Sequence, residues 1–466
     1  MKKEGCGIAG VALEQGNAAL PIFYALYTLQ HRGQESAGIA VCNGRRESEI
    51  SLRRGMGFVY EVFDNPLLES LKGHMGIGHV RYSTTGASRV ENAEPLLVDY
   101  RKGKIAIAHN GNLVNTDELR GELKREGRIF HSDTDTEVIA HLLVKELMRH
   151  ETIEAVKELM SRLVGSYSLT ILMDDTLLAI RDPFGIKPLC LGEIREGANG
   201  YGAGHVMASE STAVDMLDAR LIRDVRPGEV LMVKEGDLTG HQLCRGRNTA
   251  HCVFEYIYFA RADSILDGRV VYDVRRKIGE RLAEEHGVEA DMVSPVPDSG
   301  IAFAIGYAKR AGLDYMEGFM KNRYVGRTFI MPEAASRDTA VRLKLNVVRA
   351  NVKGKRVVLV DDSIVRGTTS RRIVKYLKEK GAKEVHLRIG SPPIRAPCYL
   401  GINTPTREEL VASKRNMNAI CTFLNADSIG YLSMDGLIDS VGIAEDNLCL
   451  GCLTGKYPVE IPGEMC

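Results

Sequence analysis

Residues Val357–Thr369 read VVLVDDSIVRGTT. Four apolar residues, Val357 to Val360, run straight into two acids, Asp361 and Asp362, then into a small hydroxyl-rich loop with one glycine. The pattern after it, Ser370–Lys380, is helical. The order is buried strand, acid pair, phosphate-sized loop, helix. A parallel α/β sheet presents ligands at the carboxyl ends of its strands, so this stretch reads as a nucleotide- or phosphate-type site. Two carboxylates repel a phosphate on their own. They fit ribose hydroxyls, or a hard cation such as magnesium that removes the conflict.

Elsewhere the second half keeps the same rhythm. Val271–Gly287 reads as a helix, Asp291–Pro297 as a strand, Ser299–Ala311 as a helix, Lys355–Asp362 as a strand and Val385–Ile389 as another. This alternation predicts a doubly wound parallel sheet. The first half differs. Ile77–Val80, Ile105–Ala108, Ser168–Met173 and Leu177–Ile180 read as strands without βαβ alternation, interrupted by helices over Ala18–His31 and Asp135–His150. That pattern predicts an α+β layered sandwich. Thr134 and Glu137 have the spacing of a capping box for the second helix. The text turns polar and Gly-rich near Lys234–His251, which sets a boundary between bodies at 6–235 and 250–466. The last fifty residues read as loop-rich and carry four of the ten cysteines.

Length and composition agree with this division. A chain of 466 residues exceeds one ordinary core. Its 44% hydrophobic and 26% charged residues are those of a globular protein. Zero formal net charge gives no electrostatic case for nucleic acid or anionic membrane. The start, MKKEG, lacks the apolar core of a signal peptide, and the expectation is a cytoplasmic protein. Ten cysteines in such a chain suggest metal or catalysis rather than a disulfide scaffold.

Cys6 stands in GCGIAG. On position alone it reads as a small buried residue of a first strand. It is also placed to become an N-terminal nucleophile once Met1–Gly5 is removed, because an α-amine near 7.7–8.0 and a thiol near 8.5 exchange a proton almost without cost, at about neutral pH. LQHRGQESAGIA (Leu29–Ala40), HVRYSTTG (His79–Gly86), HNGNL (His109–Leu113) and SDTDTE (Ser132–Glu137) follow in order. With Cys6 they resemble the glutaminase domain of the N-terminal-nucleophile amidotransferases over about the first 230 residues. The resemblance implies that Cys6 attacks the glutamine side-chain amide. It implies that Asn110 and the Gly111 N–H form the oxyanion hole, that Arg81 pairs with the α-carboxylate, and that Asp135 holds the α-ammonium. Taken alone, Asn110-Gly111 is a hairpin-turn dipeptide, Arg81 a strand-end charge and Asp135 part of a helix N-terminus. His31, His79 and His109 read as packing or hydrogen-bonding residues.

VVLVDDSIVRGTT closely matches the phosphoribosyl diphosphate (PRPP) motif of the type I phosphoribosyltransferases. By that resemblance Asp361 and Asp362 address ribose hydroxyls and magnesium. Ser363, Gly367, Thr368 and Thr369 cradle the 5-phosphate. Ser299, in PVPDSG, lies near the magnesium and pyrophosphate. Between these loops, KNRYVGRTFI and SRDTAVRLKLNVVR form a basic stretch that reads as a solvated loop or a mobile lid. Tyr324, Arg327, Arg342 and Lys344 are its candidates for pyrophosphate. Cys449-Leu450-Gly451-Cys452, with Cys252 and Cys398, supplies four thiols whose spacing fits zinc or an iron–sulfur cluster equally. One branch of the amidotransferases that act on PRPP carries a [4Fe–4S] cluster on cysteines in such contexts, and a short cleaved propeptide; the resemblance implies both here.

Joined, the two halves resemble the family that passes glutamine nitrogen to C1 of PRPP, releasing glutamate and pyrophosphate and forming 5-phosphoribosylamine. The family further implies purine-nucleotide feedback, a homotetramer and an enclosed passage for ammonia. Two other readings stand beside it: another Cys-nucleophile amidotransferase, which would lack Asp361–Thr369, and a non-catalytic PRPP-binding regulator, which would not need Cys6, Asn110 and Asp135.

Overall fold

The computed structural model describes residues 5–43, 49–82, 87–173, 175–197, 200–244, 246, 248–323, 342–402 and 406–464. Tyr324 and Arg327 lie outside the described residues.

The first body is a stack of two antiparallel sheets between helices. In the seven-stranded sheet, Gly7–Leu13 is flanked by Met75–Arg81 and Gly204–Ala208. In the six-stranded sheet, Gly103–Leu113 lies between Leu96–Tyr100 and Gly165–Met173. Residues on Gly7–Leu13 alternate between two cores. Ile8 and Ala12 pack with Ala106, Ala108, Leu172 and Leu177 between the sheets, whereas Ala9, Val11 and Leu13 pack with Ile22, Ala25 and Leu26 of helix Ala19–Thr28. The period of two in a strand buried on both faces produces this division. Helices Asp135–Leu147 and Thr152–Arg162 cover the other sheet through Val138, Leu142, Val156 and Leu159.

Two expectations change here. The strand expected over Ile105–Ala108 runs from Gly103 to Leu113, so Asn110-Gly111 is strand interior, paired with Ser168 and Tyr167, and not a turn. The boundary placed at residue 235 falls inside a hairpin. Glu229–Lys234 pairs with Asp237–Gln242 through Glu235 and Gly236, both at positive φ, the geometry of a tight two-residue turn. Of the polar, glycine-containing text that suggested a linker, Glu235–Gly236 is that turn and Asp237–Gln242 its second strand.

The second body carries a four-stranded parallel sheet in the order Met292–Pro295, Arg356–Asp361, Glu384–Ile389, Ser428–Tyr431. Val358 and Val360 face helices Val271–Glu285 and Ile301–Ala311, while Val357 and Leu359 face Thr368–Glu379 and Met417–Leu424. Helices on both faces explain why Val357–Val360 is continuously apolar. The tail is less loop-rich than its sequence suggested. It supplies the sheet's last strand, Ser428–Tyr431, and the helix Met434–Val441, capped by the Ser433 hydroxyl.

Candidate active site

Gly7 pairs with Val80, so Cys6 stands beside the end of Met75–Arg81, and its Sγ donates to the Tyr82 carbonyl at 3.5 Å. Gly5 lies against Asn110: a Cβ built on Gly5 would stand 3.7 Å from Asn110 Oδ1. Asn110 is 1% exposed, and among the described residues neither Nδ2 nor Oδ1 has a hydrogen-bond partner. A buried, unpartnered amide costs about 1–3 kcal/mol, so it is expected where a ligand will complete it. Gly111 has no room for a side chain, since a Cβ there would meet the Ser166 carbonyl oxygen at 2.0 Å.

Asp135 opens its helix and is buried. Its Oδ2 accepts the Leu113 N–H at 3.0 Å, and its Oδ1 lies 3.5 Å from His109 Nδ1. Burial pushes the Asp135 pKa up, but His109 and the Leu113 N–H outweigh it and hold the carboxylate below its ordinary value. Arg81 is 3% exposed and reaches Glu35 at 3.5 Å and the Ala87 carbonyl at 3.4 Å. Burial, then the neighbouring Glu94, push the Cys6 thiol up to about 12, with Arg81 opposing them and Asp135 adding to them. Cys6, Arg81, Asn110, Gly111 and Asp135 therefore meet in one buried locus. With Gly5 still attached, its thiol is a poor nucleophile at neutral pH. The histidines hold structure: His79 Nε2 is 3.1 Å from the His109 carbonyl, and His31 Nε2 is 2.7 Å from Glu210.

At the carboxyl end of Arg356–Asp361, the two acids differ. Asp362 is 3% exposed, taking the Ser299 hydroxyl on Oδ1 at 3.0 Å and the Ser363 hydroxyl on Oδ2. Asp361 is half-buried and accepts the Asp362 N–H at 2.9 Å. Gly367, at φ +74°, turns the loop so that the helix begins at Thr368, two residues before the expected start. This puts Thr368 and Thr369 at a helix N-terminus, where unpaired N–H groups favour phosphate. The Ser299 loop presses on the same strand end, since a Cβ on Gly300 would stand 2.5 Å from the Val360 oxygen.

A family profile described as "Glutamine amidotransferase domain" matches residues 79–215, and one described as "Phosphoribosyl transferase domain" matches 261–389. An amidophosphoribosyltransferase of Archaeoglobus fulgidus is 54% identical over 465 residues, covering 99% of both chains. That of Bacillus subtilis is 45% identical over 466 residues, covering 98% of this chain and 95% of its own. The chain belongs to the amidophosphoribosyltransferase family. A solved structure titled glutamine phosphoribosylpyrophosphate amidotransferase from B. subtilis, complexed with ADP and GMP, superposes with a TM-score of 0.91 at 44% identity, covering 99% of each chain. Family membership makes the chain an enzyme, a glutamine-dependent phosphoribosyltransferase, and assigns its first body to the glutaminase sandwich and its second to the transferase fold.

The four cysteines assigned from the sequence are drawn together. Cys252 pairs with Cys449 across a short parallel bridge, and Cys398 and Cys452 lie close enough to both for their thiols to act on one another electrostatically. Burial and these neighbours push Cys252 up to about 12 and Cys449 and Cys452 higher. Among the described residues no three His, Cys, Asp or Glu groups converge on a single ion position. Zinc and an iron–sulfur cluster both take cysteine as the thiolate, whose charge the metal offsets, so the raised thiols do not choose between them.

The lid candidates fare differently. Arg342 is not at the phosphate loop: it reaches Glu379 at 3.0 Å and the Tyr376 ring at 5.4 Å, near the other end of helix Thr368–Glu379. The Glu379 carboxylate and the Tyr376 ring, both on that helix, draw the guanidinium to this end. The Lys344 carbonyl accepts the Asn322 N–H at 2.9 Å at the end of the antiparallel pair Phe319–Lys321 and Leu345–Val347. Lys321, not singled out from the sequence, pairs its ammonium with Asp298 of the Ser299 loop at 2.5 Å. Glu94 was also missed. It accepts the His109 N–H at 2.8 Å and the Thr136 hydroxyl at 2.7 Å beneath Cys6, and only its neighbour Pro95 hinted at a special backbone.

The capping box takes another form. Glu137 accepts the N–H groups of His131 and Ser132 at 2.8 and 2.7 Å, holding the loop before Asp135, while Thr134 makes no side-chain cap.

Proposed function

We propose that Cys6 becomes the N-terminal residue by removal of Met1–Gly5 and then liberates ammonia from glutamine. Its α-amine takes the thiol proton, and Sγ attacks the side-chain carbonyl carbon of glutamine. The tetrahedral oxyanion is held by Asn110 Nδ2 and the Gly111 N–H. The C–N bond breaks, the leaving nitrogen takes the proton, and water cleaves the thioester to give glutamate. Arg81 holds the α-carboxylate with its planar fork and Asp135 the α-ammonium. The observation that supports this most is the buried, unpartnered Asn110 amide against the residue that precedes Cys6. Removal of Gly5 takes away a neighbour of that amide.

The reaction is completed in the second body. Ammonia's lone pair attacks C1 of PRPP, pyrophosphate leaves, and 5-phosphoribosylamine forms, the committed step of purine synthesis. Thr368, Thr369 and Ser363 would take the 5-phosphate at the helix N-terminus, with Gly367 setting the turn. Asp361 and Asp362 would address the ribose and, with Ser299, hold magnesium, which supplies charge neutralisation for the departing pyrophosphate. Lys321, paired with Asp298 of the Ser299 loop, and Lys344, just before the strand that pairs with Phe319–Lys321, would close on pyrophosphate; Arg342 joins only by leaving Glu379. Exclusion of water protects C1 from hydrolysis. Ammonia in bulk would protonate, so transfer runs through a passage enclosed when the lid closes.

Cys252, Cys398, Cys449 and Cys452 would hold a [4Fe–4S] cluster in a structural role, since neither half-reaction moves electrons. Homotetramer assembly and control by purine nucleotides complete the reading; the B. subtilis structure's title names ADP and GMP as bound there. No helix among the described residues is long and apolar enough to cross a membrane. Glutamate release measured with and without PRPP tests the whole: release should rise with PRPP. Glutaminase activity indifferent to PRPP, with ammonia lost to bulk during turnover, contradicts the coupled scheme.

A further inference from the structure

The glutaminase pocket is not built by the first body alone. A segment of the second body, Tyr399–Gly401, lies against the end of the strand that carries Asn110 and Gly111, on the face to which Asn110 and Asn112 both point. Asn112 Nδ2 donates to the Tyr399 carbonyl at 2.9 Å, and the Ser166 hydroxyl donates to the next carbonyl, Leu400, at 3.0 Å. Asn112 and Ser166 are directly opposite on adjacent strands, so these two donors hold consecutive peptide units of one extended segment. Ser166 has no exposed surface. Gly401 follows at φ +90°, wedged so tightly that a Cβ would stand 3.0 Å from the Gly111 carbonyl carbon and 2.9 Å from Cε of the buried Lys187. The Gly401 oxygen also faces Gly5, 3.6 Å from the position a Cβ would take there. The segment starts at Cys398, whose Sγ accepts the Leu400 N–H at 3.3 Å. It is fastened from outside as well, by Tyr399 Oη to Glu464 and by Tyr457 Oη to the Pro397 carbonyl.

We propose that Asn112 and Ser166 are positioning residues that clamp Tyr399–Gly401 of the transferase body beside Asn110 on the oxyanion strand and so set where the Asn110 amide and Gly111 N–H point. This rests on the reading of Asn110 and Gly111 as the oxyanion hole. The physical reason is steric and directional. Among the described residues no hydrogen bond aims the Asn110 side chain, so its direction is inherited from the strand. That strand is held in register by Ser168 and Tyr167 on one edge and seated on Gly401 at Gly111. A misplacement of about 1 Å at a catalytic group costs on the order of 100-fold in rate. The sequence carries the signal only in retrospect, as Asn112 within HNGNL and Gly401 three residues after Cys398.

The test uses Asn112→Ala, Ser166→Ala and Gly401→Ala in the full chain, measuring kcat and KM for glutamine, ammonia-dependent synthesis, and visible absorption with iron per chain. The expected result is a fall in glutamine kcat of about ten- to hundred-fold, largest for Gly401→Ala. KM for glutamine should stay within about twofold because Arg81 and Asp135 are untouched. Ammonia-dependent synthesis and iron content should be unchanged for Asn112→Ala, the half-exposed and least disruptive change. If KM rises while kcat holds, or if ammonia-dependent synthesis or iron falls in step with glutaminase, the clamp is merely structural and the proposal is wrong. Asn110→Ala run alongside separates the two levels. Glutaminase surviving Asn110→Ala overturns the oxyanion reading itself; glutaminase lost in Asn110→Ala but intact in Asn112→Ala and Ser166→Ala overturns only the clamp.

Discussion

Asn110→Ala should separate catalysis from stability, and the structure sets the size of both effects. The side chain is 1% exposed and its two polar atoms are unpaired among the described residues. An unmet buried amide costs about 1–3 kcal/mol, so removing it returns part of that energy to the fold. Against this stands the small void left by the truncated side chain, of order 1 kcal/mol or more. The two nearly cancel, and the thermal midpoint should move by no more than a few degrees in either direction. The catalytic effect does not cancel. Losing one oxyanion donor costs about 2.7–4 kcal/mol in the transition state, or 10²–10³ in kcat. Glutamine turnover should therefore fall 10²–10³-fold with KM little changed, while synthesis from added ammonia persists. Parallel measurement of glutamate release, ammonia-dependent pyrophosphate release and thermal unfolding decides it. A large drop in midpoint would show that Asn110 supports the fold through partners formed elsewhere, and less than a tenfold loss of glutaminase would refute its place in the oxyanion hole.

Cys6→Ala should abolish glutamine-dependent synthesis and spare the ammonia-dependent reaction; loss of both together would break the division of labour between the bodies. Gly367→Ala forces a residue with a Cβ into φ +74° and brings that atom 3.1 Å from Phe423. Strain of about 1–2 kcal/mol at the phosphate turn should raise KM for PRPP several-fold without touching glutaminase measured in the absence of PRPP, and an unaltered KM would remove this loop from the phosphate site. Burial pushes the Glu137 pKa up, but the His141 ring 3.8 Å away and the hydrogen bonds from His131 and Ser132 outweigh it and hold the carboxylate down to about 2. A depressed carboxylate contributes stability above its unfolded value near 4.5 and loses it as pH falls toward 2. Glu137→Gln should thus cost about 1–2 kcal/mol at pH 7, after discounting the full shift for solvent screening. The gap from the native chain should close below about pH 4.5 in urea titrations; a gap that widens in acid would reverse the assignment.

Much of the second body was legible because its signals are local. Val357–Val360 is apolar on both faces because helices cover both, and the acid pair, the glycine and the threonines are consecutive. The first body was readable mainly through its spaced motifs. Strand geometry there was obscured by composition: Gly7–Leu13 and Ser36–Cys42 are rich in glycine and alanine because two sheets and a helix pack closely on them. Asn110-Gly111 has the residue types of a turn, yet cross-strand pairing with Ser168 and Tyr167 overrides that propensity. Long-range partners left no trace in spacing. Glu94 reaches the Cys6 pocket through His109 and Thr136, Lys321 meets Asp298, and Asn112 meets Tyr399 across 287 positions. Arg342 illustrates the converse, a basic residue in the right neighbourhood of sequence whose side chain is engaged by Glu379.

In the proposed reaction a newly terminal Cys6 thiol frees the nitrogen used at the Asp361–Thr369 loop. The decisive measurement is labelling of the active enzyme with a diazoketone analogue of glutamine, followed by peptide mass mapping. A single adduct is expected on a peptide that begins at Cys6, with loss of glutamine-dependent synthesis in proportion to labelling and ammonia-dependent synthesis retained. An adduct on another cysteine, or active enzyme in which Met1–Gly5 is still joined to Cys6, would contradict it.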